Sequence, residues 1–214
     1  MAETLLIIDY GSGNLRSAEK AVARAAREAA PSVNVRVSGD PEDIARADRL
    51  LLPGVGAFAS CKAGLDERGL TEPLRAAAGE KPFLGICVGM QLLADIGYEH
   101  GVTDGLKLIP GEVKALAPTD PALKIPHMGW NEVVFDRPHP ALDRAREMTD
   151  RHAYFVHSYA YVAADTNDIL AHTDYGGAFP AVIGRDLVLG FQFHPEKSQA
   201  FGLKLLEGFL TWRP

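Results

Sequence analysis

The sequence predicts an α/β fold: one domain over residues 1–214, with a mostly parallel central sheet flanked by helices and antiparallel additions in its second half. Three observations predict it. Short unbroken apolar runs alternate with helical spacing through the first half, the pattern of strands buried on both faces. Over residues 111–193 strand signals follow one another with little helix between them. No low-complexity linker, repeat or long charge run divides the chain, so its 214 residues read as one sizeable core rather than two small ones.

Leu5-Leu6-Ile7-Ile8 is the first apolar run, ending in the turn-rich Asp9-Tyr10-Gly11-Ser12-Gly13-Asn14. An alanine-rich stretch with helical spacing covers residues 15–29. Residues 33–37 read as a strand and 41–47 as a short helix. Leu50-Leu51-Leu52 is the next strand and runs into Pro53-Gly54-Val55-Gly56. Beyond a further helical stretch come Phe83-Leu84-Gly85-Ile86, then Cys87, then a helix over residues 90–96. The second half supplies strands at 113–116, 132–135, 152–156, 169–173, 181–184 and 188–193. Turn signals such as Pro138-His139-Pro140 and Gly176-Gly177 separate some of them. An amphipathic helix over 199–210 closes the chain.

Composition narrows the function. A formal charge of −6 implies no basic face for nucleic acid. No run approaches the roughly 18 to 20 apolar residues that cross a bilayer. Met1-Ala2-Glu3-Thr4 lacks the basic start of a secretion signal, and a cytoplasmic location is expected. Two cysteines make neither a disulfide scaffold nor a four-sulfur metal site, so a cysteine that matters here acts as a thiolate.

Gly85-Ile86-Cys87-Val88-Gly89 has the G-x-nucleophile-x-G form between a strand and a helix. That form is a nucleophile elbow, a tight turn that lifts the reactive side chain above the sheet. Free amides and the dipole at a helix N-terminus favour the thiolate. Cys61 has no such surroundings and reads as a small buried hydrophobe. A thiolate that attacks an amide needs a base, and the base needs an orienting acceptor. His194, in Phe191-Gln192-Phe193-His194-Pro195-Glu196, follows an apolar strand, and strand spacing puts Glu196 on its face. Pro195 would stiffen that pairing and stop the strand. His127 and His157 read as satisfied structural histidines. His100, His139 and His172 read as exposed or turn positions, and His152 as a strand start. Pro53-Gly54-Val55-Gly56 lets the backbone approach a ligand and aim amides at an oxyanion. A phosphate loop is disfavoured because no lysine follows in the required spacing.

Gly85-Ile86-Cys87-Val88-Gly89-Met90-Gln91 together with Gln192-Phe193-His194-Pro195-Glu196 resembles the class I, triad-type glutamine amidotransferases, a flavodoxin-like domain. Four further segments narrow the resemblance to the glutaminase subunits of imidazole glycerol phosphate synthase. They are Asp9-Tyr10-Gly11-Ser12-Gly13-Asn14-Leu15, Pro53-Gly54-Val55-Gly56-Ala57-Phe58, Pro126-His127-Met128-Gly129-Trp130-Asn131 and Tyr154-Phe155-Val156-His157-Ser158-Tyr159. The resemblance implies a triad of Cys87, His194 and Glu196 and an oxyanion hole of backbone amides at Val55, Gly56 and Val88. It implies L-glutamine bound by Gly54, Gln91, Ser158 and Tyr159, with no cofactor and no metal. It also implies a heterodimer with a (β/α)8-barrel cyclase, to which the subunit passes ammonia, and partner-facing Asn14, Trp130, Tyr154 and Lys197. Another amidotransferase subunit and a stand-alone cysteine hydrolase of γ-glutamyl substrates share the triad and remain alternatives. The flexible turn at Val55 further predicts weak glutamine hydrolysis until a liganded partner reorients it.

Overall fold

The computed structural model describes residues 3–214, and Met1 and Ala2, used above to argue against a leader, lie outside the described residues. The first half runs β1 (Thr4–Ile8), α1 (Leu15–Ala29), β2 (Asn34–Ser38), α2 (Pro41–Arg46), β3 (Arg49–Gly54), α3 (Phe58–Glu67), α4 (Thr71–Ala78) and β4 (Phe83–Cys87). Leu5 to Ile8 and Leu50 to Leu52 are fully buried, as strands covered on both faces must be. Asn14 starts α1 by accepting from the Ser17 N–H at 3.4 Å. The helix then buries Ala18, Val22, Ala25 and Ala26, one stripe at helical spacing. Asp40 caps α2 by accepting from the Glu42 N–H at 2.8 Å.

The expected helix over 90–96 is not formed. Helix α5 (Val88–Gln91) is a single turn. The carbonyls of Leu92, Leu93 and Ala94, which a longer helix would need, accept instead from the N–H groups of Leu106, Leu108 and Lys107. A distant segment therefore captures the chain and turns it into β5 (Ile96–Gly97), followed by β6 (Thr103–Asp104) and β7 (Gly111–Ala115).

After these come β8 (His127–Glu132), β9 (Val134–Phe135), α6 (Asp143–Arg146), β10 (His152–His157), β11 (Tyr159–Ala163), β12 (Ile169–Asp174), β13 (Ala178–Arg185), β14 (Val188–Phe191) and α7 (Gln199–Thr211). The strand expected at 132–135 is thus two strands in different sheets: β8 pairs with β10, and β9 with β12. Fully buried Val133 lies between them and donates its N–H to the Arg151 carbonyl.

The main sheet has eight strands in the order β2-β1-β3-β4-β14-β13-β12-β9. The strands from β2 to β14 are parallel, and β13, β12 and β9 are antiparallel additions. Because β14 lies beside β4, the chain that leaves Phe191 emerges next to Cys87. Carboxyl ends of β3, β4 and β14 thereby converge, which is where open α/β sheets hold ligands.

Candidate active site

Cys87 ends β4 with φ 55° and ψ −113°, in the left-handed half of the map that a side chain adopts only under constraint. Its surroundings impose that constraint. A Cβ on Gly89 would collide with the Leu52 carbonyl oxygen, so only glycine lets α5 sit this close to β3. Gly54 stands in register with Cys87 across the β3–β4 pairing. As the first residue of α5, Val88 has an N–H with no intrahelical acceptor, free for a developing negative charge.

His194 arrives beyond β14. The strand expected to reach 193 stops at Phe191, and the His194 N–H donates to the Tyr154 carbonyl at 3.0 Å. Pro195–Lys197 forms a 3-10 turn, not a strand. That turn, rather than strand alternation, swings Glu196 back so that His194 Nδ1 donates to its Oε1 at 2.8 Å. Both side chains are about 95% buried, at 3% and 5% exposure. Nε2 of His194 is buried with no hydrogen-bond partner, and it is the nitrogen left for the Cys87 thiol in the same pocket. Burial disfavours the imidazolium, yet the neighbouring Cys87 sulfur and Glu196 carboxylate outweigh it and raise the pKa to about 9.

A pocket of about 330 Å³ gathers Val55, Gly56, Cys87, Val88, Gln91, Ser158, Tyr159 and His194. Gly54 lies behind it against the elbow, and Glu196 behind the imidazole. Nε2 of Gln91 donates to the Tyr159 carbonyl at 2.9 Å and to Gln192 Oε1 at 3.1 Å. Trp130 and Tyr154 form a cross-strand pair outside the pocket, their ring centroids 6.0 Å apart, with Lys197 Nζ 5.5 Å from the Tyr154 ring centroid. Asn14 sits apart from them, at the start of α1, lining a small cavity with His194 and Glu196.

Several residues here were not legible beforehand. The Val55 carbonyl accepts from Ser12 Oγ at 2.7 Å and from Cys61 Sγ at 3.4 Å, so Cys61, buried in the core as expected, also holds the glycine-flanked turn. Gly56 follows with φ +95°, a conformation that leaves the turn open to glycine alone. Glu99 lines the pocket while accepting from the Phe58 N–H at 2.7 Å. No sequence signal marks Cys61 or Glu99; Ser12 lies within a segment already singled out. Among the described residues no cluster of potential metal ligands occurs, and no helix is long and apolar enough to cross a membrane.

The family model described as "Glutamine amidotransferase class-I" matches residues 6–211. The chain is 53% identical over 214 residues to the "Imidazole glycerol phosphate synthase subunit HisH" of Caulobacter vibrioides, covering 99% of this chain and 100% of that one. It is 52% identical over 212 residues to the protein of that name in Cereibacter sphaeroides, covering 98% and 99%. Among solved structures, a glutamine amidotransferase superposes with a TM-score of 0.71 at 17% identity, covering 96% of each chain. A second, from Thermotoga maritima, gives 0.60 at 17% identity over 92% of this chain and 77% of that one. The chain belongs to the class-I glutamine amidotransferases, and within them to the family of imidazole glycerol phosphate synthase HisH subunits.

Proposed function

We propose that this chain is the glutaminase subunit of an imidazole glycerol phosphate synthase, hydrolysing L-glutamine to glutamate and ammonia for a cyclase subunit. One observation carries the chemistry: a cysteine forced above the sheet shares a pocket with the free nitrogen of an imidazole whose other nitrogen is held by a buried carboxylate. In this reading Cys87 sulfur attacks the side-chain amide carbon of glutamine. Negative charge on the former carbonyl oxygen is met by the Val88 amide and by amides at Val55 and Gly56. His194 protonates the departing nitrogen, leaving a glutamyl thioester, and then activates the water that hydrolyses it. Glu196 orients the ring and favours its protonated form. Gly54, Gln91, Ser158 and Tyr159 form the glutamine subsite.

Ammonia released into bulk water is protonated and lost, so its delivery requires a docked acceptor. We place the (β/α)8-barrel cyclase over the face bearing Trp130, Tyr154 and Lys197, with Asn14 at its margin, in a cytoplasmic heterodimer. The joint products are imidazole glycerol phosphate and the aminoimidazole carboxamide ribotide. Half-exposed Trp130 and Met128, at 48% and 62%, support that placement, since large apolar side chains grouped in the open mark a docking face. Co-purification with the candidate cyclase, then glutaminase assay with and without the cyclase's ligand, tests the reading. Stimulation on complex formation is the expected result. Equal turnover by the isolated chain would favour a stand-alone hydrolase.

A further inference from the structure

We infer that His127 and His157 are positioning residues for glutamine: a one-way hydrogen-bond chain through their imidazoles fixes the Tyr159 carbonyl and, through it, the Gln91 amide. The inference rests on the glutamine reading of the pocket and adds two residues to it.

The chain can be followed atom by atom. Asn131 Nδ2 donates to the Asp174 carbonyl at 2.8 Å and faces His127 Nε2 at 3.3 Å. His127 Nδ1 lies 3.1 Å from His157 Nε2, and His157 Nδ1 lies 2.9 Å from the Tyr159 carbonyl. A carbonyl only accepts, so His157 carries its proton on Nδ1 and offers a bare Nε2. His127 must then donate from Nδ1, which leaves its Nε2 to accept from Asn131. That amide is itself fixed, because its oxygen accepts from the Glu132 N–H at 2.8 Å. A donor at one end and an acceptor at the other thus permit a single arrangement of protons in two neutral rings.

The surroundings keep both rings neutral and in place. His127 is stacked between Phe155 and Tyr175, at centroid distances of 4.9 and 4.1 Å, and Phe179 closes the box edge-on to both imidazoles. Burial lowers both pKa values to about 4. Titratable neighbours facing His157 are His127 and His194, and a positive charge on either would oppose protonation of the His157 ring.

At the far end the Tyr159 carbonyl holds two donors, His157 Nδ1 and Gln91 Nε2. Gln91 Nε2 gives its second proton to Gln192 Oε1. With its nitrogen fully spent on protein, Gln91 has Oε1 left for a ligand. An acceptor in that place suits the α-ammonium group of an amino acid. His127 is absent from the pocket wall, so its influence on substrate runs through the chain.

Steady-state glutaminase kinetics of the complex with the cyclase test this. His127→Phe keeps a flat ring between Phe155 and Tyr175 but breaks the chain, whereas His127→Asn retains a donor near the Nδ1 position. Expected is a rise of about tenfold in KM for glutamine in His127→Phe, with kcat within about twofold, and recovery of most of that loss in His127→Asn. An unchanged KM in His127→Phe, or an equal rise in both variants, overturns the inference. Imidazole nitrogen NMR of the wild-type complex needs no variant to fold: it should show Nδ1–H tautomers for both rings at neutral pH, and an Nε2–H tautomer or an imidazolium at either would overturn it. Absence of wild-type turnover would instead defeat the glutamine reading itself.

Discussion

Replacing Glu196 by Gln keeps an acceptor beside His194 Nδ1 and removes its charge. The contact is 2.8 Å long and both side chains are about 95% buried, so water screens it little. A buried hydrogen bond to a charged partner contributes about 1.5–3 kcal/mol. Assigning about 2 kcal/mol of this to the imidazolium that forms as the thiol is deprotonated gives a fall in kcat of roughly 30-fold. KM should change little, because Glu196 is outside the pocket wall. The assay is glutamine turnover by the complex, paired with an NMR titration of His194. In the wild type the Cys87 and Glu196 contributions hold that pKa near 9 against burial, and in Glu196→Gln it should fall. A kcat within threefold of wild type, or a His194 titration that does not move, would refute the assigned role.

Three further outcomes follow from the geometry. His127 and His157 have folded pKa values near 4 against about 6.5 unfolded, so their contribution to stability is complete above pH 6.5 and is lost as pH falls toward and through 4. Thermal melts across that range should show a steep acid-side decline that flattens in His127→Phe; an unchanged slope would contradict the assignment. Gly89→Ala places a methyl group on the Leu52 carbonyl, and should cost at least about 1–3 kcal/mol in denaturant melts while abolishing turnover; near-wild-type activity would show that the elbow tolerates a wider turn. Ser12→Ala combined with Cys61→Ala frees the Val55 carbonyl from two donors and should raise partner-free turnover several-fold, at about fivefold per ~1 kcal/mol. A fall would mean that the held orientation is already the productive one.

Most of the parallel half of the fold was legible because β1, β3, β4 and β14 are buried strands that announce themselves as apolar runs, whereas the edge strand β2 is partly exposed and alternates polar with apolar residues. The helix over 15–29 matched its bounds because its alanine-rich spacing and the turn-rich stretch before it are local signals. Errors arose where distant segments decide. The helix after Cys87 is cut short by backbone donors from residues 106–108, and the strand across Val133 divides between two sheets, neither of which leaves a mark in local periodicity. Cys87, His194 and Glu196 were singled out from motif form, and the structure brings His194 and Glu196 into contact, yet the reason for that contact was misread: a 3-10 turn at Pro195 makes what strand alternation was expected to make. Ser12 and Cys61 meet at Val55 through contacts 43 and 6 residues apart in sequence, and the two histidines meet across 30. Such tertiary hydrogen bonds have no pattern in a single sequence.

Mass spectrometry of the complex quenched during glutamine turnover bears most directly on the covalent chemistry. A glutamyl adduct is expected on the peptide bearing Cys87, absent from Cys87→Ala together with all turnover. An adduct on Cys61, or a Cys87→Ala complex that still releases ammonia from glutamine, would contradict it.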